Sequence, residues 1–149
     1  MQTKKVTKID DEIKNLFSAY LAFYKTEKSR IDIEDFMNGN LQNEDVVMLA
    51  GTNDGRYVAF SQSYIIPNSL TLGRMAILND LFVDMQVRGN GFGKTMLDAT
   101  TDCLTTMGID RIELSTAVTN VIGQSLYHRN GWLRDDDFLH YFKDLKSGQ

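Results

Sequence analysis

The sequence predicts a mixed α/β domain, and three observations carry that reading. Two stretches of helical period lead the chain. Three strand-like segments separated by turn signals follow, and strands and helices then alternate. The 149 residues, 42% of them apolar, suit one globular domain spanning 1–149 with a single core.

Asp10 predicts the cap of a first helix. Ile13, Leu16, Phe17, Tyr20 and Tyr24 then recur at i, i+3, i+4, i+7 and i+11, on one helical face. Ile31 to Met37 predicts a second short helix, closed by Asn38-Gly39-Asn40. Val46 to Ala50 is strand-like, Asn53-Asp54-Gly55 is a hairpin signal, and Tyr57 to Ile65 is the returning strand. Pro67-Asn68-Ser69 has turn composition. Arg74 to Val83 is apolar on both faces, which predicts a central strand. Asn79 and Asp80 interrupt it, and a polar pair there is costly unless satisfied, so the strand points to a site. In a regular strand the two side chains point to opposite faces. Thr95 to Met107 predicts a helix with Met96, Thr100, Cys103, Leu104 and Met107 on one face and Gly108 at its end. Ile112, Leu114 and Thr116 alternate as a strand. Asn120 opens a helix that reaches Asn130 and stops at Gly131, and Phe138 to Leu145 is the expected last strand.

Composition narrows the function. Net charge is −4, which speaks against nucleic acid as a main partner, because phosphate binding needs clustered cations. No stretch approaches the ~18 apolar residues of a membrane span, and no apolar run follows the basic start, so neither a membrane nor a secretory signal is expected. The single Cys103 excludes an internal disulfide framework and suggests a reducing, cytoplasmic compartment. Cys103 itself reads as a small hydrophobe. His128, His140 and Cys103 lack metal-ligand spacing, so no metal is expected. Asp135-Asp136-Asp137 reads as a solvated loop.

The segment with most chemical content is Arg88-Gly89-Asn90-Gly91-Phe92-Gly93-Lys94, lying between the central strand and a helix. Glycines there let backbone N–H groups approach a ligand, and a helix N-terminus adds partial positive charge, so the segment suits a phosphate group. A nucleotide P-loop needs G-x-x-x-x-G-K-[ST], and this segment is one residue short. A dinucleotide fingerprint needs G-x-G-x-x-G in the first βαβ unit, whereas the spacing here is G-x-G-x-G in the second half of the chain.

Arg88-x-x-Gly91-x-Gly93 instead resembles the [QR]-x-x-G-x-[GA] loop of the GNAT N-acetyltransferase superfamily. Ile77 to Val83 resembles the fourth strand of that family. Asn120, Leu126-Tyr127 and Asn130-Gly131-Trp132 resemble its later Asn, Leu-Tyr and Gly-aromatic positions. The resemblance runs from about Val46 to Leu145 in the right order and spacing. It implies a single-domain GNAT fold, a mixed and mostly antiparallel sheet flanked by helices. The implied activity is direct transfer from acetyl-CoA to a primary amine of a small molecule or lysine side chain.

The same resemblance assigns roles. Backbone donors from Arg88, Gly89, Asn90, Gly91, Phe92, Gly93 and Lys94 would hold the pyrophosphate, with added charge from Arg88. The main chain of Leu81, Phe82 and Val83 would pair with pantetheine and polarise the thioester carbonyl. Asn120 would contact the pantetheine arm, or cap its helix, or both. Tyr127 would protonate the departing thiolate, a transfer uphill by about 1.5 pKa units, roughly 2 kcal/mol. Many relatives carry Glu where this chain has Asn79, and Asn cannot act as a base. Asp80 is then the candidate base, directly or through a water, with His128 and His140 behind it. The acceptor would enter past the N-terminal helices and the Tyr64–Leu72 loop, and a homodimer is expected, with Phe138–Leu145 a possible contributor. The alternative is a CoA-binding sensor of the same fold without useful turnover, supported by Asn79.

Overall fold

The computed structural model describes residues 1–146. The chain divides into two compact units, Met1–Ser115 and Thr116–Gln149. In the first unit the elements are β1 (Gln2–Lys5), α1 (Asp11–Phe23), α2 (Arg30–Leu41), β2 (Val46–Asn53), β3 (Arg56–Asn68), β4 (Gly73–Val83), a 3-10 turn at Met85–Val87, α3 (Phe92–Thr106) and β5 (Arg111–Glu113). The second unit holds α4 (Val121–Arg129).

The five strands form one sheet in the order β1-β2-β3-β4-β5. The first four are antiparallel and β5 joins β4 in parallel, so the sheet is mixed as expected. Helices cover both faces of it. Alternation along β2 shows why: Met48 and Ala50 pack with Ile13, Phe17, Ile33 and Met37 of α1 and α2, while Val47 and Leu49 pack with Met96 and Leu104 of α3. Two apolar layers therefore flank the sheet, and rings join the first, with Phe17 and Phe60 5.6 Å apart and Tyr20 edge-on to Phe60 at 5.3 Å.

Local chemistry explains the boundaries. Asp10 caps α1 by accepting from Ile13 N–H at 2.9 Å, and the hairpin turns at Asp54 and Gly55, both at positive φ. Helix α2 starts at the Ser29 cap and continues through Asn38-Gly39-Asn40 instead of stopping there. Asn40 gives the reason: its side chain donates to Gln62 at 3.0 Å and Tyr64 at 3.3 Å, which holds the last turn against the sheet. Tyr24 is not on the buried face of α1 but ends the helix, largely exposed. Pro67 lies within β3, near its end, and the chain turns later, at 69–72. Helix α3 begins at Phe92, before the expected Thr95, because Gly91 in the left-handed region already starts the helix. The missed strand β1 is an exposed polar edge with no apolar alternation to announce it.

Two further expectations fail. Phe138–Leu145 is not a strand; residues 132–146 hold neither helix nor strand, and Phe138 and Phe142 are about four-fifths exposed. An aromatic-rich composition alone makes no strand without a pairing partner. The second concerns β4. Gln62 pairs with Asp80 and Ser63 with Leu78, leaving Asn79 as the extra residue of a β-bulge. The bulge switches faces: Ala76 sits in the layer under α3, whereas Phe82, an even number of residues later, sits under α1 and α2. Asn79 and Asp80 consequently do not point to opposite faces. Asn79 donates to the Asp80 carboxylate at 3.2 Å.

Candidate active site

The bulge builds the first part of the site. Asp80 is 7% exposed, and its carboxylate accepts from Tyr20 Oη at 2.6 Å, Gln62 Nε2 at 3.0 Å and Asn79 Nδ2 at 3.2 Å. Gln62 Nε2 also donates to Tyr64 Oη at 2.9 Å. Burial, followed by the hydrogen bond to Asp80, pushes the Tyr20 phenol well above its ordinary range, so it remains a neutral donor. Burial raises Tyr64 as well. Asp80 thus lies at an open cleft of about 500 Å³ with aromatic walls from Phe17, Tyr20, Phe36 and Tyr64. Tyr20, Gln62, Asn40 and Tyr64 were not among the expected site residues. Tyr20 reads as one more apolar-stripe position, and its partner is 60 residues away. The available signal was Gln62, a polar residue between Val58-Ala59-Phe60 and Ile65-Ile66 of one strand; the structure buries it fully.

The second part is the end of β4. Strand β5 pairs only with Met75, Ala76 and Ile77, so among the described residues no strand covers that edge from Leu78 to Val83. Phe82 packs in the core under α1 and α2, and Leu81 and Val83 pack toward α3, so all three side chains are used in packing.

The third part is the glycine loop. Gly89 has φ 84° and Gly91 φ 77°, and nothing lies within 4 Å of a Cβ built on either. Both glycines are therefore required by backbone conformation, and space above them is open. Gly91 offers no side-chain cap, and among the described residues nothing accepts from the N–H groups of Phe92, Gly93 and Lys94. Those donors and the helix dipole favour an anion. Arg88 donates from Nε to the Val83 carbonyl at 3.0 Å and stacks over Phe23 at 4.9 Å, tying the loop to the end of β4. Asn90 donates to the Val87 carbonyl, and Lys94 pairs with Asp98 one turn on.

In the second unit, Asn120 caps α4 by accepting from Gly123 N–H at 3.0 Å and donates to Thr116 Oγ1 at 2.9 Å. Each end of the amide keeps one further hydrogen-bonding position. Tyr127 is half-buried with its ring 6.0 Å from that of Trp132, while His128 and His140 are exposed.

The sequence model of the Acetyltransferase (GNAT) family matches residues 11–132. The chain belongs to the GNAT acetyltransferase family. The match begins earlier and stops sooner than the Val46–Leu145 resemblance, taking in the helices that wall the cleft. The chain is 34% identical over 126 residues to the uncharacterized N-acetyltransferase YhfO of Bacillus subtilis (strain 168), covering 85% of each protein. Its fold is similar to the crystal structure of a probable acetyltransferase, with a TM-score of 0.90, 26% identity, and 98% and 99% of the two chains covered. At the level of fold alone it is similar to the aminoglycoside acetyltransferase meta-AAC0020 from an uncultured soil metagenomic sample, solved with sisomicin. That likeness has a TM-score of 0.82, 16% identity, and 97% and 96% of the chains covered.

Proposed function

We propose that this GNAT chain is an acetyl-CoA-dependent N-acetyltransferase, acting as one domain over 1–149. It moves the acetyl group directly to a primary amine of a small molecule or lysine side chain. The observation that supports this most is the start of α3, where N–H groups without a partner among the described residues follow two glycines at positive φ under open space. Acetyl-CoA fits there as co-substrate. N–H groups from Arg88 to Lys94 hold its pyrophosphate, and the uncovered main chain of Leu81, Phe82 and Val83 takes the pantetheine arm. Asn120 has one donor and one acceptor position to add.

The amine attacks the thioester carbonyl carbon as its free base. A C–N bond forms, the C–S bond breaks, and the sulfur leaves as thiolate. Asp80 takes the proton the amine must lose, directly or through a water, and Tyr127 gives one to the thiolate. Asn79 takes no proton; it holds Asp80, which supplies a structural reason for an amide at that position. The single cysteine favours a cytoplasmic enzyme. The family resemblance favours a homodimer, which light scattering of the purified chain tests.

Replacing Tyr127 by Phe separates catalysis from binding. The proposal expects kcat to fall at least about tenfold with the Kd for CoA unchanged. Undiminished turnover would remove Tyr127 from the reaction. Clear CoA binding without turnover on any amine would favour the sensor reading.

A further inference from the structure

Asp80 is a buried carboxylate with three hydrogen-bond donors and, among the described residues, no cation within ion-pair distance. A carboxylate accepts about four hydrogen bonds, and Asp80 has one position left, on Oδ2. A buried charge without a counter-charge is costly, so the site favours a ligand that brings one. Its surroundings limit what else that ligand carries. Phe17, Tyr20, Phe36 and Tyr64 offer ring faces and edges, and Ile33 adds an aliphatic wall. Such walls accept an apolar body, and rings near an ammonium add cation–π attraction. Among the described residues, the only other charged residues lining the cleft are Lys28 and Asp32, both exposed, whose charges offset each other. The cleft therefore has a net charge of about −1, supplied by Asp80.

We propose that this cleft selects a primary amine with a single positive charge on an apolar or aromatic body, and that Asp80 anchors its ammonium group. This rests on the acetyl-transfer reading and narrows its acceptor. A polyamine or an aminoglycoside is the wrong match. After one ammonium reaches Asp80, the others meet ring and aliphatic walls, and among the described residues the other lining carboxylate, Asp32, is exposed and offset by Lys28.

The test is calorimetric titration of the intact chain, alone and with saturating CoA, using 2-phenylethylamine, 2-phenylethanol, spermidine and kanamycin. Saturable binding of 2-phenylethylamine is expected in at least one condition. The neutral alcohol, which has the same shape without the charge, should bind at least about tenfold more weakly. Spermidine and kanamycin should bind more weakly too. Asp80→Asn should lower amine affinity at least about tenfold while leaving the alcohol unaffected. The alcohol comparison uses the unaltered chain, so it stands if the variant folds poorly. No binding of 2-phenylethylamine, equal binding of the alcohol, or tighter binding of either polycation would overturn the proposal. Acetyl transfer is read separately by CoA release. Amine binding without transfer counts against the acetyltransferase reading and not against the acceptor class. Transfer to kanamycin but not to 2-phenylethylamine does the reverse.

Discussion

Tyr20 is the residue on which the geometry around Asp80 most depends. Its hydroxyl is 2.6 Å from the carboxylate, and its ring packs against Phe60 and Phe82. Tyr20→Phe removes a donor to a buried charge while keeping the ring, so a loss of about 1.5–3 kcal/mol in urea unfolding is expected. A loss near zero would mean that water replaces the phenol. The pH dependence has a definite sign. The Tyr20 pKa is raised in the folded state above the ordinary value of 10.0, so the folded chain holds this proton where the unfolded chain releases it. Stability from Tyr20 is complete below about pH 10 and is lost as pH rises beyond it. The fall in stability between about pH 8 and pH 11 should be smaller in Tyr20→Phe than in the unaltered chain. An identical fall in both would show that this phenol is not the group responsible. Little of this was legible in the sequence, because helical spacing makes Tyr20 a core position and is silent about a partner on β4. Asp80 itself was legible: a carboxylate inside an apolar strand demands a satisfying partner.

Elements whose signals are local were read well, and those that depend on remote contacts were not. Asp10, Asn53-Asp54-Gly55, Gly108 and Asn120 act within a few residues of themselves, and each appears where expected. The bulge at Asn79 depends on pairing with β3, and the length of α2 depends on Asn40 reaching Gln62, so neither could be read from its own segment. Phe138–Leu145 shows the converse error, an aromatic-rich segment that forms no strand among the described residues. The glycine loop belongs with the local signals, and its role can be measured at the element level. Gly91→Ala meets no steric obstacle but puts a Cβ on a residue with φ 77°. It should cost about 1–2 kcal/mol of stability and weaken CoA binding. Unchanged affinity would mean that the start of α3 does not hold the phosphates.

At the scale of the molecule, family membership and fold were legible because loop, preceding strand and downstream Asn, Tyr and Gly occur in one order. The acceptor was not; the cleft proposed to take it is assembled from α1, α2, β3 and β4, whose residues share no motif. The central claim is that the chain transfers acetyl from acetyl-CoA to an amine. Its most direct test is the time course of CoA release from acetyl-CoA with and without 2-phenylethylamine, checked by the mass of the amine product. Amine-dependent CoA release matched by formation of the N-acetyl amine is the predicted result. Absence of acetyl-CoA binding, or CoA release that no amine in a broad panel accelerates, would contradict it.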